Sequence, residues 1–401
     1  MLVCGRIRYA AVMTVLEPVS WSRPARPARS VLVHRNVDAW LIGGISLVLF
    51  ALMFVVVPRD ADINSVSWTA FYLAFVVNGP HFFASYWHLY VDNGRDLLRN
   101  RRYVFAGIVV PIALIVGLFV ASRRPSEATL ASMVNIMWIS VGWHYVKQIF
   151  GVSLVASAAH GRPIGGLTKS LYRINLLSVW LMTLVFSNDR GSKTAFFGVT
   201  STSFDLTGWL ERIHLYWIAD HLRLVVYVIV GVTALAAIGG FVRQWIRTGK
   251  TMAPVGWIAW LSIYVWYLPV FYHPSYGYLI PFFHSLQYLL FSVTFSWNKS
   301  RRILEQPTTV TATDDRIRRR RFVEKFGLFV AVSVVLGAAG FHWIPEWLDR
   351  NATLRPTVLG PQFYVVAFNL FINIHHYFVD SVIWRGSNPQ VRTFLRPRPV
   401  S

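Results

Sequence analysis

Long apolar runs alternate with short, basic, glycine- and proline-containing connections along almost the whole chain. Ten runs approach the roughly 20 residues that cross a bilayer as helix: 39–57, 68–91, 103–122, 128–157, 171–187, 222–242, 253–272, 277–297, 325–344 and 361–384. The pattern predicts an all-α, polytopic membrane bundle forming one domain over 39–385. A flexible basic tail is expected over 1–38, a flexible connection over 299–321 and a short basic tail over 386–401. From Phe204 to Ala219, Leu206, Trp209, Leu210, Ile213 and Trp217 mix with Asp205, Glu211 and Arg212, which reads as a helix lying in the interface. No sequence repeat is evident.

Polar positions inside the apolar runs are few and regularly spaced. In the second run Asn78, His81, Ser85, His88 and Asp92 recur at steps of three and four, a stripe along one helical face. Asn369, Asn373, His376 and Asp380 do the same in the tenth run, while His375 is turned about 100° from His376. His144 stands four residues before Gln148, and His284 three before Gln287. Measured from the inner ends of their runs, His81, His144, His284 and His376 lie at a common depth of about 13–21 Å. A lone histidine in such a helix usually makes an interhelical hydrogen bond worth about 1 kcal/mol. Four at one depth point to a shared buried site.

Composition fits the class: 55% of residues are hydrophobic, with 17 Trp, 28 Phe and 17 Tyr. Residues 1–38 show no apolar core or cleavage site of a secretory signal. The net charge of +21 is explained by topology rather than by nucleic acid. Counting residues at run edges with the nearest connection, 29 Lys/Arg fall on the side of the N-terminus and 9 on the other, with Lys147 inside a run. Both termini are therefore expected in the cytoplasm, facing anionic lipid headgroups. The Arg318–Arg321 run is expected to anchor at lipid, and Lys147 to extend toward the inner surface. No basic soluble domain is present that would read nucleic acid. Cys4 is the only cysteine, which excludes an intrachain disulfide and Cys-ligated zinc or iron–sulfur centres.

The candidate chemistry is thus a metal site of His81, His144, His284 and His376, with His88 and His375 as alternates. Asp92, Gln148, Gln287, Asn373 and Asp380 are candidates to hold the imidazoles in place, with direct metal ligation or a place at the inner headgroup boundary as the alternatives for the two aspartates. His34, His160, His214, His221, His273 and His342 fall in connections or near boundaries and read as solvated or interfacial. Imidazoles with few carboxylates suit iron(II), with copper or zinc as alternatives, and the surrounding apolar residues suit a hydrophobic or lipid substrate. Pro80 and Pro281, beside His81 and His284, either widen a cavity there or serve helix packing. Zinc would favour hydrolysis, and iron with open positions oxygen chemistry. The alternatives are a transporter or proton/metal conduit lined by the same stripes, or a haem-binding electron-transfer protein.

Several short segments carry a resemblance: GPH at 79–81, WHLYVD at 87–92, WH at 143–144, FFHS at 282–285 and HHYFVD at 375–380. In this order they are similar to elements of the bacterial Brp/Blh-type β-carotene 15,15′-dioxygenases. That resemblance covers about a third of the chain and implies a multi-pass enzyme of the bacterial inner membrane. It also implies non-haem iron(II) held by His81, His144, His284 and His376, and an isoprenoid or carotenoid-like substrate.

Overall fold

Apolar runs with few helix breakers become helices, and a computed structural model places one over each of the ten segments among its described residues. These residues are 32–56, 63–124, 127–186, 188, 195–197, 199–200, 205–271, 274–304, 312–352, 359 and 362–395. In chain order the helices are α1 Ile45–Val56, α2 Ile63–Tyr86, α3 Val110–Arg123, α4 Ala128–Ala159 and α5 Gly166–Phe186. They continue as α6 Leu222–Thr248, α7 Pro254–Tyr267, α8 Ile280–Arg301, α9 Ala312–Ala338 and α10 Phe363–Ile383. The described structure is all-helical apart from a two-residue ladder pairing Ala195–Phe196 with Val199–Thr200.

Five helical stretches are long and apolar enough to cross a membrane, which points to a membrane protein: Arg35–Met53, Arg101–Arg123, Leu222–Thr248, Tyr276–Arg301 and Asp315–Asn351. Four of them are peripheral, with under a third of their most apolar window buried, and Tyr276–Arg301 is central, with 72% buried. Of the histidine-bearing helices, α10 packs on both α2 and α4, and α2 packs on α8, so the polar stripes face inward. Helices that are shielded by neighbours need fewer apolar residues than those at the rim.

Close backbone approach sets these crossings. Gly337 of α9 meets Gly79 and Pro80 of α2 so tightly that a Cβ added to it would lie 2.6 Å from the Gly79 carbonyl carbon. Gly142 of α4 similarly receives Trp180 and Thr183 of α5. Asn175, buried between apolar helices, is fully engaged: it accepts from Trp260 Nε1 at 2.9 Å and Tyr264 OH at 2.7 Å, and donates to Thr233.

Widened π-helical turns interrupt the regular helices at Trp40–Gly44, Trp87–Asp92, Phe105–Val109 and Ala339–Trp343. Two of them end two residues before a proline, Pro111 and Pro345, whose missing N–H leaves carbonyls of the preceding turn without their helical partner. Those at Ala106 and Gly107 are satisfied from other elements, by His375 Nε2 at 3.0 Å and Tyr90 OH at 2.8 Å.

Three sequence expectations change. Residues Pro389–Leu395, read as part of a short basic tail, form a helix that packs on α8 and buries Val391, Phe394 and Leu395. The connection over 299–321 ends early, because α9 starts at Ala312 and carries Arg318–Arg321 in helix, with Arg319 paired to Asp315 and Arg320 to Glu324. The interfacial stretch is two short helices, Leu206–Arg212 and Tyr216–Asp220, broken at His214, whose φ is +63°. Trp209, Ile213, Tyr216 and Trp217 are exposed along it. Cys4, residues 1–31 of the first tail and His273 lie outside the described residues.

Candidate metal centre

His81 from α2, His144 from α4, His284 from α8 and His376 from α10 converge in the interior, each at most 5% exposed. One nitrogen from each ring can be chosen so that all four atoms lie within 4.8 Å of one another. Two pairs meet directly through Nε2: His81 with His376 at 3.0 Å, and His144 with His284 at 3.1 Å. Both nitrogens of a pair cannot carry a hydrogen at that separation. They share one hydrogen, or both present lone pairs to an ion. A tetrahedral ion bonded at about 2.05 Å sets its ligand nitrogens about 3.3 Å apart, so these contacts have the dimensions of a ligand polyhedron's edge.

The surroundings are aromatic. Phe82 packs on both His81 and His376 with ring centres 4.4 Å away, Tyr145 on His284 at 4.4 Å, Tyr288 on His81 at 4.7 Å and Tyr377 on His144 at 4.9 Å. Behind His81, its Nδ1 faces the Asn78 carbonyl at 3.1 Å and the Asn78 amide oxygen at 3.2 Å, with Ser285 Oγ also at 3.2 Å. Ser285 donates to the same amide oxygen at 2.8 Å, fixing it.

Asp380 stands beside the tetrad. Its Oδ1 accepts from Ser85 Oγ at 2.8 Å and Tyr288 OH at 3.0 Å, which brings the two hydroxyls into contact. Its Oδ2 lies 3.4 Å from His376 Nε2 and 3.8 Å from His144 Nε2.

The other candidates do different work. Gln148 and Gln287 bond each other at 2.8 Å rather than a ring; Gln148 also donates to the His284 carbonyl, and Gln287 to the Ile42 carbonyl in the first widened turn. His284 Nδ1 has no partner, so neither amide holds that ring by its second nitrogen. Asn373 donates to the Asn369 carbonyl and accepts from Tyr377 OH at 3.1 Å, acting on the centre only through that ring. His375 points away and bonds the Ala106 carbonyl, as the 100° turn from His376 anticipates. Lys147 is buried along most of its length and donates to the Ser381 carbonyl at 3.4 Å.

His88 and Asp92 form a separate group at the end of the same stripe. His88 Nδ1 meets Asp92 Oδ2 at 2.8 Å and its Nε2 meets Ser292 Oγ at 2.8 Å. Asp92 Oδ1 pairs with Lys299 at 2.9 Å, and Lys299 donates to Gln390 of the terminal helix at 2.9 Å. Burial pushes the Asp92 carboxyl up, but the His88 hydrogen bond and the charges of His88 and Lys299 outweigh it and hold the group below its ordinary value.

Asn78, Ser85, Ser285 and the four packing rings of Phe82, Tyr145, Tyr288 and Tyr377 went unassigned at the centre by sequence reasoning. Asn78 and Ser85 were on the stripe, so periodicity signals them; the aromatic rings look like any apolar residue until the helices are assembled. Comparison of the chain with protein-family models, curated proteins and solved structures gives no match. The resemblance drawn above therefore rests on its short motifs.

Proposed function

We propose that this chain is a ten-span membrane protein with both termini cytoplasmic, in which His81, His144, His284 and His376 bind one iron(II) ion of a non-haem oxygenase. The observation that carries the reading is the convergence of four buried imidazoles from four helices, with two Nε2 pairs at 3.0 and 3.1 Å. Burying four ionisable rings in one place is costly in hydrocarbon unless they share a task. Imidazole donors suit iron, copper or zinc, and bound iron would supply activation of dioxygen. What the protein supplies is position and dryness: Phe82, Tyr145, Tyr288 and Tyr377 close round the rings, which favours a hydrophobic lipid or isoprenoid-like substrate.

The exposed apolar faces support lipid as the surrounding solvent. Ile112, Ile115, Val116 and Phe119 of α3, Leu224, Val228, Val232 and Leu235 of α6, and Leu328, Val334 and Val335 of α9 all point outward. A bacterial inner membrane is the proposed location, with anionic headgroups meeting the basic side. A haem is disfavoured, because axial imidazoles sit on opposite faces of a macrocycle and Nε2 atoms 3.0 Å apart leave no room for one.

One observation favours a second reading, a proton or metal conduit: polar groups continue from Asp380 through Ser85 and Tyr288 toward His88, Asp92 and Lys299. Beside the tetrad, however, Phe82, Phe341 and Ile372 form an apolar cluster rather than a continuation of the path.

Elemental analysis and an optical spectrum of the detergent-purified protein test the reading. About one iron per chain without a haem band is expected; haem absorption, or metal-free protein after growth and purification with iron, would overturn it. Metal uptake by reconstituted vesicles would favour the conduit.

A further inference from the structure

We infer that Asp380 is itself a ligand of the metal held by the tetrad, so that the centre is four imidazoles and one carboxylate. The inference rests on the metal reading above but not on the oxygen chemistry. Four residues after His376, Asp380 is spaced to orient that ring from behind by accepting a hydrogen from its second nitrogen. The structure shows another arrangement. His376 Nδ1 has no partner among the described residues, and the carboxylate approaches the opposite edge of the ring.

Asp380 Oδ2 lies 3.4 Å from His376 Nε2 and 3.8 Å from His144 Nε2. These are the nitrogens that face His81 Nε2 and His284 Nε2, so the oxygen caps an edge of the tetrad. Bonds of about 2.0–2.2 Å to oxygen and nitrogen bring ligand atoms to about 3.3 Å of each other in tetrahedral geometry and about 3 Å in octahedral geometry. Oδ2 is therefore within a small side-chain adjustment of a bonding position.

The other oxygen explains why it faces this way. Ser85 Oγ and Tyr288 OH both donate to Oδ1, and Trp384 Nε1 donates to Tyr288 OH at 2.9 Å. These donors come from α2 and α8, two of the helices that supply the histidines, and from the residue just after α10, a third. A carboxylate pinned through one oxygen by two hydroxyls, with the other turned toward imidazole nitrogens, has the outer shell expected of a monodentate ligand. A carboxylate also moves the donor set away from the soft ligands that favour copper(I) and toward iron(II).

The test uses cobalt(II) alone as the probe, on the full chain in detergent, because its visible d–d bands report coordination number without any substrate. The wild type is expected to bind one Co(II) with the weak bands of a centre having more than four ligands. Asp380→Ala should bind it at least about tenfold more weakly, with bands intensified toward the four-coordinate pattern. His375→Ala, whose ring points away from the centre to the Ala106 carbonyl, should keep the wild-type band pattern. Thermal unfolding of metal-free protein checks that each variant is folded, and Asp380→Asn, which preserves shape, replaces Asp380→Ala if that variant fails to fold. A wild-type spectrum in the folded Asp380 variant would overturn the ligand role while leaving the tetrad standing. Failure of the wild type to bind Co(II) would overturn the metal reading and this inference with it.

Discussion

His375 and His376 are adjacent in sequence and both buried, at 3% and 0% exposure, yet alanine at each should fail in opposite ways. His376 places Nε2 3.0 Å from His81 Nε2 and near His144 and Asp380. If four ligands share the about 10–16 kcal/mol of a typical four-ligand zinc site, one ligand accounts for about 3–4 kcal/mol, a few hundredfold in affinity. His376→Ala should therefore bind metal a few hundredfold more weakly while still folded. His375 instead donates Nε2–H to the Ala106 carbonyl, in the turn that Pro111 leaves short of a donor. Leaving that buried carbonyl unpaired costs about 1–3 kcal/mol, offset in part because the ring takes its own unpartnered Nδ1 with it. His375→Ala should lower the thermal midpoint and keep full metal stoichiometry. The assay is metal titration and thermal unfolding of both variants in one detergent. Metal loss in His375→Ala together with retention in His376→Ala would refute the assignment of the inward face of α10.

Alanine at His81, His144 or His284 should likewise remove most bound metal with the fold retained, measured by elemental analysis; normal content in two of these three would refute a shared site. Gly337→Ala should destabilise the protein by about 1–3 kcal/mol through the 2.6 Å clash with Gly79, while Gly327→Ala, with open space at its Cβ, should be neutral or mildly stabilising by thermal unfolding. Because the Asp92 carboxyl is held below its ordinary value of 3.8, its pairing contributes fully above that pH and is lost as pH falls through the lowered value. Asp92→Asn should flatten the acid limb of a stability–pH profile, and an unchanged limb would count against the pairing. Reporter fusions at 190–200 and 310–315 should report opposite sides of the membrane, and the same side would refute the ten-span topology.

The helices and the four converging histidines were legible in the sequence for one physical reason: in hydrocarbon a polar side chain is costly enough that its position is informative. The three- and four-residue steps of Asn78, His81, Ser85 and His88 already describe a face, and in the structure that face looks inward at α8 and α10. What the sequence did not disclose depends on partners far along the chain. Gln148 and Gln287 are each spaced to reach a histidine on their own helix, but both are long and flexible, and they find each other across α4 and α8. Nothing within Phe105–Val109 announces that Ala106 will be capped from α10; only the pairing of Pro111's deficit with His375's surplus donor does so. The same logic separates the two aspartates. Asp92 and Asp380 both follow a histidine by four residues, and local spacing treats them alike. Asp92 meets the Nδ1 side of His88 and a lysine at the edge of the bundle, whereas Asp380 meets the Nε2 side of His376 in its middle. The partners from other helices differ as well: Ser292 and Lys299 hold His88 and Asp92 at the edge, whereas Ser85 and Tyr288 turn Asp380 toward the tetrad.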